Sequence, residues 1–220
     1  LEALDTLVTA KPQAAWLARI AEVKAATQSA LDQDMQNQQM PIVPPLVMAQ
    51  VAQRLQANDV VISDASFSAG WIAQYIPATQ SGRHFLYARG QGGLGYASPA
   101  AIGAAAVLRK IGGRVVTVAG DGGHSFAIGE LATLAQNKMR VVNIVINNGT
   151  LGWLQMWQQL FFEDLRKSVD LAIGDKPDFA AAATAMGLLG LAVIVLVVEM
   201  LRANVLPVAP LVLLATGPVG

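Results

Sequence analysis

The chain has 220 residues, 15 basic and 15 acidic side chains, and a composition that is 54% hydrophobic and 14% charged. A net charge of +0 leaves no electrostatic footprint for nucleic acid or an anionic membrane, and the lack of Cys removes disulfides and thiolate metal sites from consideration. The apolar content is enough for one sizeable core. The opening residues, LEALDTLVTAKPQ, lack the basic start and apolar run of a signal peptide, and the absence of Cys fits a cytoplasmic location. The chain does not start with Met, so a fragment or a processed product is expected.

In chain order, Pro12–Met35 reads as a helix with Trp16, Ile20 and Val23 on one stripe. Gln36–Pro45 is polar and then Pro-rich, a linker. Leu46–Gln56 is predicted helical, Val60–Ser63 a strand ending at Asp64, and Ser68–Tyr75 a helix. A short strand at Phe85–Ala88 leads into a glycine loop, Gly90–Gly95, and then a helix of small residues at Pro99–Ile111. Arg114–Ala119 and Val141–Ile146 are uncharged and β-branched after their first positions, the pattern of buried strands. Between them Phe126–Asn137 is predicted as one helix, with Phe126, Ile128, Leu131 and Leu134 apolar. Phe179–Val198 is uncharged for a length that could span a bilayer. Gly187 and Gly190 divide it into an Ala-rich helix and a strand at Leu191–Val198, which favours a covered core over a membrane span. No repeat or low-complexity tract is present. The expected fold class is α/β, with an open, mostly parallel sheet and helices on both faces.

Two parallel strands joined by a helix end on the same edge of a sheet. Gly120-Asp121-Gly122 follows the first buried strand and Asn147-Asn148 the second, so Asp121 and Asn148 are expected to converge in the crevice where open α/β sheets bind ligands. A carboxylate and an amide oxygen, with the Thr150 carbonyl as a third donor, suit Mg2+ bound together with a diphosphate. Gly122 and Gly123 leave room for close approach, and their N–H groups open a helix that can cradle phosphate. The plain alternative is two unrelated strand-end turns. A rival ligand is a dinucleotide: Gly90, Gly92 and Gly95 fit G-x-G-x-x-G after a strand, with Asp121 as the ribose-binding acid. That reading leaves the Asn pair and Gly122-Gly123 without a role.

The stretch GDGGHSFAIGELATLAQNKMRVVNIVINN resembles the cofactor motif of thiamine diphosphate enzymes. RGQGGLGYASPAAIGAA resembles their segment holding the aminopyrimidine ring, and LGWLQMWQQLFFE and PDFAAAATAMG resemble helices of the acetolactate synthase branch. The likeness runs from about Asp59 to Gly190. It implies the thiamine diphosphate-binding fold, with residues 1–43 closing a preceding middle domain and linker and 44–220 forming the diphosphate- and Mg2+-binding domain. By resemblance, the Gly92 carbonyl accepts from the pyrimidine amino group and Leu94 wedges between the cofactor rings, so these two position the reacting atoms. Gly93 belongs to the same loop. Asp64 and Ser66 belong to a first diphosphate-contacting loop, where the family often has Gly and a polar residue instead of Ser66 and Phe67. Gly122, Gly123, His124, Asn148, Leu151 and Gly152 complete the expected cofactor contacts, and Asp121, Asn148 and Thr150 the metal ligands.

His124 stands where the family more often has an apolar residue. Neutral at a helix start, it is either a substrate-side acid or base or a packed or capping residue. His84 and Glu130 read as structural, and Trp153, Met156 and Trp157 as core or pocket wall, with Leu151 and Trp153 closest to the cofactor. The implied reaction is carbon–carbon bond cleavage or formation on a pyruvate-like 2-oxoacid, by an acetolactate synthase-like enzyme or a 2-oxoacid decarboxylase. In the family, a glutamate from a separate pyrimidine domain activates the cofactor. No segment here resembles that domain, so the chain is expected to need a partner chain or domain in a homo-oligomer and to be inactive alone. A non-catalytic assembly module is the alternative of another class. Beyond Gly190 the run LAVIVLVVEMLRANVLPVAPLVLLATGPVG departs from the family's strand, charged helix and closing strand. A subunit contact, a membrane-facing segment and an unrelated sequence stay open for it.

Overall fold

A computed structural model describes residues 13–36, 42–79, 81–82, 84–162, 168–171, 177–188 and 193–197. Its elements are α1 (Ala14–Gln36), α2 (Pro44–Ala52), β1 (Val60–Ser63), α3 (Phe67–Tyr75), β2 (Phe85–Tyr87), α4 (Ala97–Ile111), β3 (Val115–Gly120), α5 (Asp121–Phe126), α6 (Glu130–Gln136), β4 (Val141–Asn147), α7 (Gly152–Phe161), α8 (Phe179–Ala185) and β5 (Val193–Val197). The five strands form one sheet in the order β2-β1-β3-β4-β5, and every neighbouring pair is parallel. The order reverses between β1 and β3, which puts the topological switch point of the sheet there.

The strands read as continuous apolar runs because both faces are covered. Val115 and Ala119 of β3, with Ile62 and Val141, pack under Ala101, Ala105 and Leu108 of α4 and Leu131 and Leu134 of α6. Val116 and Val118, with Val61, Ile144 and Ile146, point the other way, onto Val47 and Met48 of α2 and Ile72 and Tyr75 of α3. Ala97, Ala101 and Ala105 recur at one-turn spacing, so α4 lies close on the sheet. One polar pair interrupts the first face: Thr117 and Asn143 are register partners, and the Thr117 hydroxyl donates to Asn143 Oδ1 at 2.8 Å. At the opposite strand ends, buried Asp59 accepts from the Arg114 backbone N–H at 2.8 Å and pairs with its guanidinium at 2.6 Å.

One expectation needs correction. The helix expected at Phe126–Asn137 is two helices, because α5 starts at Asp121 itself and the chain turns at 127–129 before α6. Phe126, at the end of α5, is 75% exposed and not core. The Trp16 and Val23 stripe of α1 also stays exposed, since α1 packs on the domain through Leu31 and Met35 near its far end. The helix and strand expected within 179–198 are present as α8 and β5, and among the described residues no helix is long and apolar enough to cross a membrane. Half of the linker and the run beyond Val197 lie outside the described residues.

Candidate cofactor cleft

The segments that follow β1, β3 and β4 meet at one cleft, beside the switch point of the sheet. Its walls include Ser66, Phe67 and Trp71 after β1, Gly120 to Gly123 after β3, Asn148, Thr150, Leu151 and Gly152 after β4, and Leu94 of the glycine loop. Asp121 is buried, and its Oδ2 accepts the Gly149 N–H at 2.7 Å. The carboxylate therefore lies against the residue next to Asn148, so the two separate strand ends do converge. Asn148 Oδ1 accepts from the Thr150 N–H at 3.1 Å, which folds the amide back over its own turn.

The glycines act by what they lack. A Cβ on Gly122 would stand 3.0 Å from both Leu151 Cδ2 and Leu171 Cδ1, and one on Gly123 would stand 2.8 Å from Asp64 Oδ1. Gly152 is equally tight against the Asn148 amide nitrogen, at 3.1 Å. A short antiparallel bridge between Thr150 and Asp170 holds the floor: Leu151 N–H donates to the Val169 carbonyl at 2.7 Å, and Leu171 N–H to the Gly149 carbonyl at 2.9 Å. This clamp had no signal in the sequence, nor did Trp71 as a wall residue.

Gly92 and Gly93 do not line this cleft. They bound a second hollow, with Tyr87 to Arg89 and Tyr96 on its rim, and Leu94 belongs to both. Gly92 and Gly95 carry positive φ, at 65° and 84°. Asp64 is not on the cleft wall either. Its carboxylate is 1% exposed and is consumed by backbone N–H groups.

His124 takes the packed one of its expected roles and is not among the residues lining the cleft. The residue is 2% exposed, and its imidazole is edge-on to Phe179 with ring centroids 5.2 Å apart. Nε2 has no hydrogen-bond partner, and burial pushes the group from its usual value near 6.5 down to about 4. The packed reading holds for its side chain, and the substrate-side acid or base is not supported. Trp153 and Trp157 are not core: both are more than a third exposed, in an aromatic ladder from Phe67 through Trp153 and Trp157 to Phe161. His84 is structural, its ring nitrogens near the Asp59 and Ser81 carbonyls.

The donor set fits a small, hard cation shared with a diphosphate. It offers one carboxylate, one amide oxygen and a carbonyl beside Gly122 and Gly123, where neighbouring side chains leave no room for a Cβ. Among the described residues no three His, Cys, Asp or Glu side chains cluster, so the further ligands of such an ion would be amide, carbonyl, phosphate or water oxygens. The dinucleotide alternative fails on topology. In that fold the strand before the glycine loop neighbours the next strand, whereas here β1 separates β2 from β3.

The family described as "Thiamine pyrophosphate enzyme, C-terminal TPP binding domain" matches residues 64–205. The acetolactate synthase isozyme 2 large subunit of Escherichia coli (strain K12) is 33% identical over 68% of this chain and 26% of its own length. The probable acetolactate synthase large subunit of Methanococcus aeolicus is 30% identical over 79% of this chain and 28% of its own. Among solved structures, the Rhodococcus jostii RHA1 thiamine diphosphate-dependent 4-hydroxybenzoylformate decarboxylase superposes with a TM-score of 0.58 at 26% identity, covering 66% of this chain and 26% of that one. The chain thus spans about a quarter of the length of these relatives. The sheet order, the converging strand ends and these matches agree: the chain belongs to the thiamine pyrophosphate enzymes, as a C-terminal TPP-binding domain of the acetolactate synthase-like kind.

Proposed function

We propose that this domain binds thiamine diphosphate through Mg2+ and forms the diphosphate half of an active site for carbon–carbon bond chemistry on 2-oxoacids. The observation that carries the reading is the contact of the Asp121 carboxylate with the turn that bears Asn148. Asp121, Asn148 and the Thr150 carbonyl hold the ion, and the Gly122 and Gly123 N–H groups meet the phosphate oxygens. Leu94 stands between the cleft and the glycine-loop hollow, where a bulky apolar side chain can divide two ring systems. Gly92, with its positive φ, turns the loop so that its carbonyl can accept from the pyrimidine amino group. Ser66, Leu151 and Gly152 shape the remaining wall. When bound, thiamine diphosphate supplies the nucleophilic carbon and the electron sink for bond cleavage beside a carbonyl. Residues 1–43 belong on this reading to a preceding domain, and the activating glutamate comes from a pyrimidine domain in a partner chain or a further segment, within an oligomer.

Calorimetric titration of the 220-residue chain tests this. Thiamine diphosphate is expected to bind only with Mg2+, and Asp121→Ala to weaken that binding by about 100-fold, the worth of a lost charged metal ligand. In the same preparation, pyruvate turnover stays at background until a pyrimidine-binding chain is added. Binding indifferent to Mg2+ and to Asp121→Ala, the behaviour of an assembly module, overturns the proposal.

A further inference from the structure

Asp64 is a buried carboxylate without a basic partner among the described residues. Its Oδ1 accepts from the N–H groups of Ala65 at 2.8 Å and Gly95 at 3.1 Å, and its Oδ2 accepts from Ala97 at 3.1 Å. The last two donors lie 31 and 33 residues away, in the glycine loop and at the start of α4. That helix has no cap of its own: the side chain of its N-cap residue, Tyr96, makes no capping bond. The carboxylate supplies the missing acceptor from another strand, where the α4 dipole also favours negative charge. On its third side Oδ1 lies so close to Gly123 that no Cβ fits between them. One side chain thus lies against the first loop, the glycine loop and the first turn of α5 without lining the cleft itself.

We infer that Asp64 is a positioning residue that fixes the glycine loop, and with it Leu94, against the diphosphate turn. The inference rests on the cofactor reading above. Leu94 is the residue before Gly95, so the Gly95 N–H bond sets where its side chain enters the cleft. The role divides the ligand in two. Asp64 serves the ring half, while Asp121 and Asn148 serve the diphosphate half.

Asp64→Asn tests this division, because the amide nitrogen replaces an acceptor with a donor and strands at least one of the three N–H groups. Inorganic pyrophosphate with Mg2+ probes the diphosphate half alone. The variant is expected to bind pyrophosphate within about twofold of the unaltered chain but thiamine diphosphate about tenfold or more weakly, consistent with one to two lost hydrogen bonds. Equal losses for both ligands indicate a general structural role and overturn the inference, as does no loss for either. Failure of the unaltered chain to bind either ligand counts against the cofactor reading. Amide hydrogen exchange on the ligand-free, unaltered chain tests the tether by itself and covers a variant that does not fold. The Gly95 amide, outside any helix, is expected to be as protected as the amides of α4, and fast exchange there contradicts the tether.

Discussion

Ser66 shows how much the local backbone is asked to bear at the mouth of the cleft. Its φ of 81° and ψ of −151° lie in a region that is essentially reserved for glycine. Its hydroxyl makes no capping bond to α3 that would repay the strain. The family resemblance places Gly at this position, and the geometry gives the reason. Ser66→Gly relieves strain of about 1–3 kcal/mol and loses up to about 1 kcal/mol through a freer unfolded chain. The net expectation is a gain of about 1 kcal/mol, read as a rise in Tm of about 3 °C. A lower Tm for the variant sinks the strain argument. Nothing in the side-chain pattern announces a positive φ at Ser66; only the departure from the family's glycine marked the site.

At the scale of elements, α5 carries Asp121, Gly122 and Gly123 of the cleft wall, and its buried histidine has an apolar neighbour. His124 of α5 packs on Phe179 of α8, with Nε2 unpartnered. The folded group titrates near 4, below the ordinary value of about 6.5, so the unfolded chain binds the extra proton between those values. Its stabilising contribution is complete above pH 6.5 and is lost as the pH falls toward 4. Across that window the loss is about 3 kcal/mol. Other groups titrate there as well, so the measurement is a difference. His124→Leu is expected to gain about 3 kcal/mol relative to the unaltered chain between pH 7 and pH 4, by denaturant unfolding at both pH values. A pH-independent difference rules out a buried neutral imidazole. The break between α5 and α6 escaped the sequence pattern because Phe126 and Ile128 extend the apolar spacing of Leu131 and Leu134 across a turn. Only Ile128 packs against the α4–α6 core, while Phe126 faces solvent.

For the whole molecule, the parallel sheet was legible because runs such as Val115–Ala119 and Val141–Ile146 are apolar but for one buried polar residue each, Thr117 and Asn143, a pattern that suits a strand covered on both faces. The convergence of Asp121 and Asn148 followed from the same topology. What stayed hidden depends on three-dimensional neighbours. The bridge at Thr150 and Asp170 and the tether of Asp64 to Gly95 join segments whose spacing carries no period. Trp153 and Trp157, exposed in the ladder that ends at Phe161, read in sequence as core or pocket wall because helical periodicity reports an apolar face, not what covers it. The proposed function requires one ion shared between two strand ends. Its most direct test is a crystal structure of the chain with thiamine diphosphate and Mn2+ in place of Mg2+, with the metal located by anomalous scattering. The expected peak lies within about 2.3 Å of both the Asp121 carboxylate and Asn148 Oδ1, in contact with the diphosphate. A metal bound elsewhere, or a diphosphate seated away from Gly122 and Gly123, contradicts it.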